Sequence, residues 1–108
     1  MTIYIDSTDN TKAVIRINDT EYVKDVDSPR NQDILGFLLH CLEAKNVKPS
    51  DIDALEVNPG PGSFTGTRVG VAIANALGYG LEIKVNGSFN PVEPIYFAPP
   101  SISQKQDS

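Results

Sequence analysis

The residues with the most pointed chemistry lie in the run Asn58-Pro59-Gly60-Pro61-Gly62-Ser63-Phe64-Thr65-Gly66-Thr67-Arg68-Val69-Gly70. A turn of this type, between an apolar strand-like run and a helix-like run, has two uses. It holds an anion at a helix start, or it sets a helix in place for a partner. A Walker A loop needs a Lys after its last glycine to reach the phosphates, whereas here Gly66 is followed by Thr67-Arg68. The dinucleotide fingerprint is nearer, because Gly60-x-Gly62-x-x-x-Gly66 follows an apolar run and precedes Glu82. Against it, Pro61 stiffens the turn, and 108 residues leave no room for a second mononucleotide half. The structural use needs nothing further. Pro59 and Pro61 fix φ, Gly60 and Gly62 permit positive φ, and Ser63 or Thr65 can cap the following helix.

Other reactive groups are few. Asp6 ends the first apolar run, where a carboxylate can serve a metal or a reaction, or can bond the amides of its own turn. His40 is the single histidine and has only Cys41 beside it, which points to another face of a helix. Cys41, the single cysteine, sits in an apolar run and reads as a buried thiol in a reducing compartment. No Ser-His-Asp or Cys-His arrangement is available. The expectation is therefore no catalytic residue, no metal site and no cofactor.

These residues must be positioned by a short series of elements. Ile3-Tyr4-Ile5, Ala13-Val14-Ile15-Arg16-Ile17 and Glu21-Tyr22-Val23-Lys24-Asp25-Val26 read as three strands joined by turns at Asp6–Asn10 and Asn18-Asp19. Asp27-Ser28-Pro29 reads as a helix start, with Ser28 as N-cap and Pro29 as first helical residue. Ile34, Leu35, Leu38, Leu39 and Leu42 recur at helical spacing, and Phe37 and Cys41 widen the apolar arc beyond what one core contact needs. Gly36 costs this helix about 1 kcal/mol relative to Ala, and Lys45-Asn46 suits its end. Ser50–Asn58 alternates as a fourth strand, Val69–Leu77 forms a second helix, and Leu81–Val85 reads as a fifth strand. In that second helix Gly70, Ala74 and Gly78 make a strip of tiny side chains, expected to lie bare for a partner's backbone. Val69, Ala72, Ile73, Ala76 and Leu77 are expected to face the sheet.

The order β-β-β-α-β-α-β is that of one lobe of the ribonuclease H-like, actin-like ATPase architecture: an α/β fold with a five-stranded mixed sheet and two main helices. Beyond Asn86 the chain is punctuated by Gly87, Pro91, Pro94, Pro99 and Pro100. Pro94-Ile95-Tyr96-Phe97 reads as an extended segment docked on the domain, with the last residues disordered. The hydrophobic fraction of 40% and charged fraction of 21% are those of a soluble globular protein. A net charge of -5, with basic residues scattered, argues against direct nucleic-acid binding. No run approaches the roughly 20 apolar residues that cross a bilayer, and no signal-like start is present, so a cytoplasmic protein with no membrane contact is expected.

The run from Gly60 to Ala72 resembles the signature of the bacterial TsaB family of tRNA threonylcarbamoyladenosine biosynthesis proteins: GPGSFTG, one residue, Arg, an aliphatic residue and Gly. Ile3-Tyr4-Ile5-Asp6-Ser7 is similar to that family's opening strand, and Ser50-Asp51-Ile52-Asp53-Ala54-Leu55 to the segment entering its turn. Pro94-Ile95-Tyr96 resembles its Pro-Val-Tyr segment near the C-terminus. Where the family carries His-Ser-Glu at its first helix, this chain reads Arg30-Asn31-Gln32. The resemblance covers residues 1–87 and 93–96 and implies a shortened form without the family's second lobe: an N-terminal lobe over 1–87, then a Pro-rich extended tail over 88–108.

The resemblance also implies a role. The family's member is a non-catalytic subunit that binds and stabilises the transferase subunit TsaD as a heterodimer, through the two helices of its N-terminal lobe. Self-association in the partner's absence stays open, and the ATPase TsaE and tRNA are reached only through the complex. Here the helices would be Asn31–Lys45 and Thr65–Leu77. The implied interface comprises Ile34, Leu35, Leu38, Leu42, Phe64, Thr65, Arg68, Gly70, Ala74, Leu77 and Gly78; Pro59, Gly60, Pro61, Gly62, Ser63 and Gly66 hold the turn. The alternative is a nucleotide-binding actin-like lobe using Asp6 and the Gly60–Gly66 turn. A nucleotide in that fold lies in a cleft between two lobes, which a single lobe would not form.

Overall fold

Strict alternation of apolar residues decides which side of the sheet becomes the core. A computed structural model describes residues 1–26 and 33–95. In it β1 (Thr2–Asp6), β2 (Lys12–Ile17) and β3 (Thr20–Asp25) form the expected antiparallel meander. Asn18, at φ 51°, turns the chain between β2 and β3. β4 (Ala54–Val57) lies parallel to β1, which gives the order β3-β2-β1-β4. Ile3 and Ile5 sit opposite Ile17 and Ile15 on one side and Leu55 and Val57 on the other. All six are buried, on the side covered by α1 (Ile34–Ala44) and α2 (Phe64–Leu81).

The first helix starts at Asp33, whose carboxylate accepts the Gly36 N–H at 2.9 Å. A Cβ on Gly36 would run into that carboxylate, so the glycine that weakens the helix also makes room for its cap. The expected start at Ser28 and Pro29, and the residues Arg30, Asn31 and Gln32, lie outside the described residues. The end falls where Lys45-Asn46 placed it: Asn46 adopts φ 57°, and the Val47 N–H reaches back to the Leu42 carbonyl. Along α1, Ile34, Leu38 and Cys41 are buried, whereas Leu35 and Leu39 stand out of the surface at 47% and 55% exposure.

Three boundaries differ from the sequence expectation. The fourth strand is shorter than Ser50–Asn58, because Pro49–Asp51 closes a 3-10 turn before it. The second helix is longer than Val69–Leu77 at both ends, since Ser63 caps it and Gly78 and Gly80 do not stop it. It ends only when Glu82 takes a left-handed conformation at φ 57° and the Ile83 N–H bonds the Gly78 carbonyl.

The sheet therefore has four strands where five were expected. Leu81 belongs to the helix, and Asn86 and Gly87, at φ 51° and 77°, turn the chain straight after Val85. Val85 alone bridges, to Leu55 on one side and Ser88 on the other. The Asn86 side chain then stands in for the missing strand: its carboxamide accepts the Val57 N–H at 2.8 Å and donates to the Val57 carbonyl at 3.0 Å.

From Phe89 the chain returns along α2. Asn75 clasps the Val92 backbone through two hydrogen bonds of 2.9 Å, and the Ile95 N–H donates to the Pro59 carbonyl. Pro94-Ile95 is thus docked as expected; Tyr96, Phe97 and the tail to Ser108 lie outside the described residues. No described helix is long and apolar enough to cross a membrane.

Adjacent leucines of α1 test this division of surfaces. Leu38→Ala removes a side chain that is 1% exposed and should destabilise by about 2–5 kcal/mol. Leu39→Ala should change stability by less than about 0.5 kcal/mol. Urea denaturation reads both, and equal losses would show that the helix is rotated from the orientation described.

Candidate functional site

The glycine-rich turn is closed by its own chain. Asn58 donates its side-chain N–H to Asp6 at 3.2 Å and accepts the Gly60 N–H at 3.1 Å. The Ser63 N–H bonds the Thr8 carbonyl at 2.7 Å; the Gly66 and Thr67 N–H groups bond the Ser63 hydroxyl and carbonyl. Gly60, at φ 107°, lies so near the Ile95 carbonyl that a Cβ could not fit, and Gly62 lies equally close to Thr8. Ile95 and Thr8 crowd the turn at Gly60 and Gly62, and four of the turn's amide donors are taken. Ser63, of the two expected capping residues, is the one that caps.

Asp6 is equally occupied. Its carboxylate accepts the Thr8 N–H at 3.0 Å, the Thr8 hydroxyl at 2.7 Å, the Tyr4 hydroxyl at 3.3 Å and the Asn58 amide. Burial alone would raise its pKa, but these donors outweigh burial and hold the carboxyl below its ordinary value. Tyr4 shifts the other way, pushed up by burial and then by the Asp6 charge. Burial also raises the Cys41 thiol, as the sequence expected of a packed cysteine. Asp6 thus ties β1 to the turn as an Asx-type residue. Among the described residues, no group of three or more His, Cys, Asp and Glu side chains could hold a metal ion.

The small-residue strip of α2 faces inward, the reverse of the expectation; of the residues expected on the sheet side, Val69, Ile73 and Leu77 do pack against the core, while Ala72 and Ala76 face outward. Gly70, Ala74 and Gly78 are buried against the sheet, together with Gly66, Thr67 and Val71. A Cβ on Gly70 would meet the Ser7 hydroxyl, and one on Gly78 would meet the Val85 side chain. Small side chains let the helix backbone come down until Ser7 donates to the Gly66 carbonyl at 2.6 Å. An α-helix turns about 100° per residue, so positions two apart lie on nearly opposite sides. The outward stripe is consequently Phe64, Arg68, Ala72 and Ala76, while Val69, Ile73 and Leu77 are half-buried on the flanks.

The implied interface residues therefore divide. Leu35, Phe64, Thr65 and Arg68 are exposed, and Leu42 and Leu77 are half-buried. Ile34, Leu38, Gly70, Ala74 and Gly78 are buried in the fold. The sequence reading missed Leu39 and Ala72, although Leu39 follows Leu35 by one turn and Ala72 follows Arg68 by one turn. It also missed a groove of about 550 Å³ at the far end of α2, bordered by Tyr79, Ile83, Phe89 and Pro91.

Three outcomes are expected from these contacts. Gly70→Ala should cost about 1–3 kcal/mol by overpacking against Ser7. Gly80→Ala, with open space around it, should gain up to about 1 kcal/mol. Similar effects at both positions would place the small-residue strip outside the core. Asp6 has a lowered pKa in the fold, so its stabilising effect is complete above the unfolded carboxylate value of about 3.9 and is lost as pH falls through the folded value. The stability difference between wild type and Asp6→Asn should be largest near neutrality and shrink below about pH 4. A difference unchanged down to low pH would mean that the carboxylate is not the favoured acceptor.

Comparison with known proteins places this arrangement. The family model "TsaD: tRNA N6-adenosine threonylcarbamoyltransferase" matches residues 29–87. The chain is 41% identical over 56 residues to the tRNA threonylcarbamoyladenosine biosynthesis protein TsaB of Escherichia coli, covering 52% of this chain and 24% of the relative. It is 34% identical over 65 residues to TsaB of Bacillus subtilis, covering 60% and 27%. YeaZ from Pseudomonas aeruginosa superposes at a TM-score of 0.66 with 21% identity, over 78% of this chain and 42% of that structure, and so shares the mixed α/β fold. The aligned stretches span about a quarter of the length of these curated relatives. With α1, β4, the turn and α2 inside the matched region, the chain belongs to the tRNA N6-adenosine threonylcarbamoyltransferase (TsaD) family and is TsaB/YeaZ-like within it.

Proposed function

We propose that this chain is a non-catalytic scaffold subunit in the biosynthesis of threonylcarbamoyladenosine in tRNA, and that it binds and stabilises a TsaD-like subunit through the outward faces of α1 and α2. The observation that carries the reading is the apolar surface left by those helices after the core is made. Leu35, Leu39 and Phe64 are 47%, 55% and 59% exposed, and Ala72 and Ala76 continue the outward stripe of α2 that Phe64 begins. Exposed aliphatic and aromatic side chains grouped on neighbouring elements mark an interaction surface. The match of the chain to the TsaD family model supports this reading, in which a partner of related fold would bring a similar helix pair face to face with α1 and α2.

The chemistry of the turn supports the non-catalytic part. An enzyme of this architecture needs a free carboxylate and free amides for a nucleotide, and here Asp6 and four amides of the turn are already bonded. On this reading tRNA and the ATPase subunit are engaged only through the complex. The net charge of -5 agrees with that, because a chain that gripped tRNA by itself would need a basic surface.

Titration of the TsaD-like subunit of the same organism into this chain tests the proposal. A complex should form at micromolar concentration or below. Replacing both Leu35 and Leu39 by Asp should weaken it about tenfold or more, with circular dichroism and stability preserved, since both side chains are exposed. ATP with Mg²⁺ should give no binding heat. Absence of a complex, or an ATP heat abolished by Asp6→Asn, would overturn the reading.

A further inference from the structure

Arg68 is the only charged side chain between Glu56 and Glu82. It stands exposed one turn into α2, in the outward stripe with Phe64 and Ala72. Together with Thr65, Val69 and Ala72 it borders a shallow groove of about 300 Å³. Its guanidinium lies 5.1 Å from the centroid of the Phe64 ring.

Arg16 shows what such an arrangement looks like when complete. It lies 4.7 Å from the Tyr4 ring centroid and also pairs with Glu21 at 3.3 Å. The ring covers one plane of the guanidinium, and the carboxylate takes its edge. Arg68 has the ring without the carboxylate: the ion pairs among the described residues are Met1–Asp53 and Arg16–Glu21. A guanidinium held over a ring at an exposed surface of Ala, Val, Thr and Phe side chains has lost part of its freedom beforehand and so meets a planar carboxylate at lower cost.

Resting on the reading of the α1 and α2 face as an interface, we infer that the TsaD-like partner presents a carboxylate side chain, set in an otherwise apolar helical surface, and that Arg68 receives it in the groove beside Phe64. A polyanion such as RNA fits less well, because α2 carries no second basic residue to follow a phosphate chain. The contact is one charge in an apolar surround. Such a pair fixes the register of two helices that small, smooth side chains would let slide.

The test is a set of Arg68 variants titrated with the TsaD-like subunit of the same organism, at low and at high salt. Arg68→Ala should weaken binding about tenfold or more, Arg68→Glu further, and Arg68→Lys less than either. The gap between wild type and Arg68→Glu should narrow at molar salt, where charges are screened within about 3 Å. Changing one Asp or Glu on the partner's helical face to Lys should restore binding to Arg68→Glu. If Arg68→Ala binds within about twofold of wild type while the Leu35 and Leu39 double variant does not bind, the face is an interface but the carboxylate contact is wrong. If wild type forms no complex, both readings fall. Self-association of the chain that Arg68→Glu abolishes would make the occupant a second copy and overturn the inference.

Discussion

The close descent of α2 onto β1 and β4 is the constraint on which the rest of the structure depends. It is possible only because Gly66, Gly70, Ala74 and Gly78 leave the inner side of the helix nearly smooth. Ser7, 1% exposed, then bonds the Gly66 carbonyl across the gap, so that a buried hydroxyl is satisfied by the approach itself. Interiors are close-packed, and a methyl group added along this line has nowhere to go without moving either the helix or the first strand.

Two consequences follow from that approach. The turn feeding the helix must be compact, and it is, with Thr8, Asn58 and Ile95 filling the space around Gly60 and Gly62. A glycine-rich turn that looks like an anion cradle here holds a strand, a helix and the returning chain together. The helix also has to place its larger side chains elsewhere. Val69, Ile73 and Leu77 go to the flanks, while Phe64, Arg68, Ala72 and Ala76 point away from the core. The outward surface proposed to meet a partner is set by the same spacing that buries the glycines.

Much of the fold was legible because it rests on local patterns. The β1, β2 and β3 meander follows from alternation with turn residues between, and the end of α1 from Asn46 in its left-handed conformation. What the sequence hid was relational. Gly70, Ala74 and Gly78 declare a close approach, but periodicity does not say whether the sheet or a partner does the approaching. The fifth strand was misread because Leu81–Val85 alternates correctly; the left-handed residue that ends α2 is Glu82, not a glycine, and Asn86 supplies with its side chain what a strand would supply with its backbone. For the site, the carboxylate at Asp6 and its local bonding to Thr8 and Tyr4, each two residues away, were within reach of the sequence, whereas the fourth donor, Asn58, arrives only through the parallel pairing of β1 with β4.

The central claim is that the outward face of α1 and α2, and not the aromatic groove at the far end of α2, meets the TsaD-like partner. Hydroxyl-radical footprinting reads this directly, since Leu35 and Leu39 of α1 and Phe64 of α2, and Tyr79 and Phe89 of the groove, at 90% and 71% exposure, are all accessible to oxidation in the isolated chain. On adding the partner, the account predicts that oxidation of Leu35, Leu39 and Phe64 falls while Tyr79 and Phe89 keep their rates. Protection of Tyr79 and Phe89 with Phe64 unchanged would contradict it.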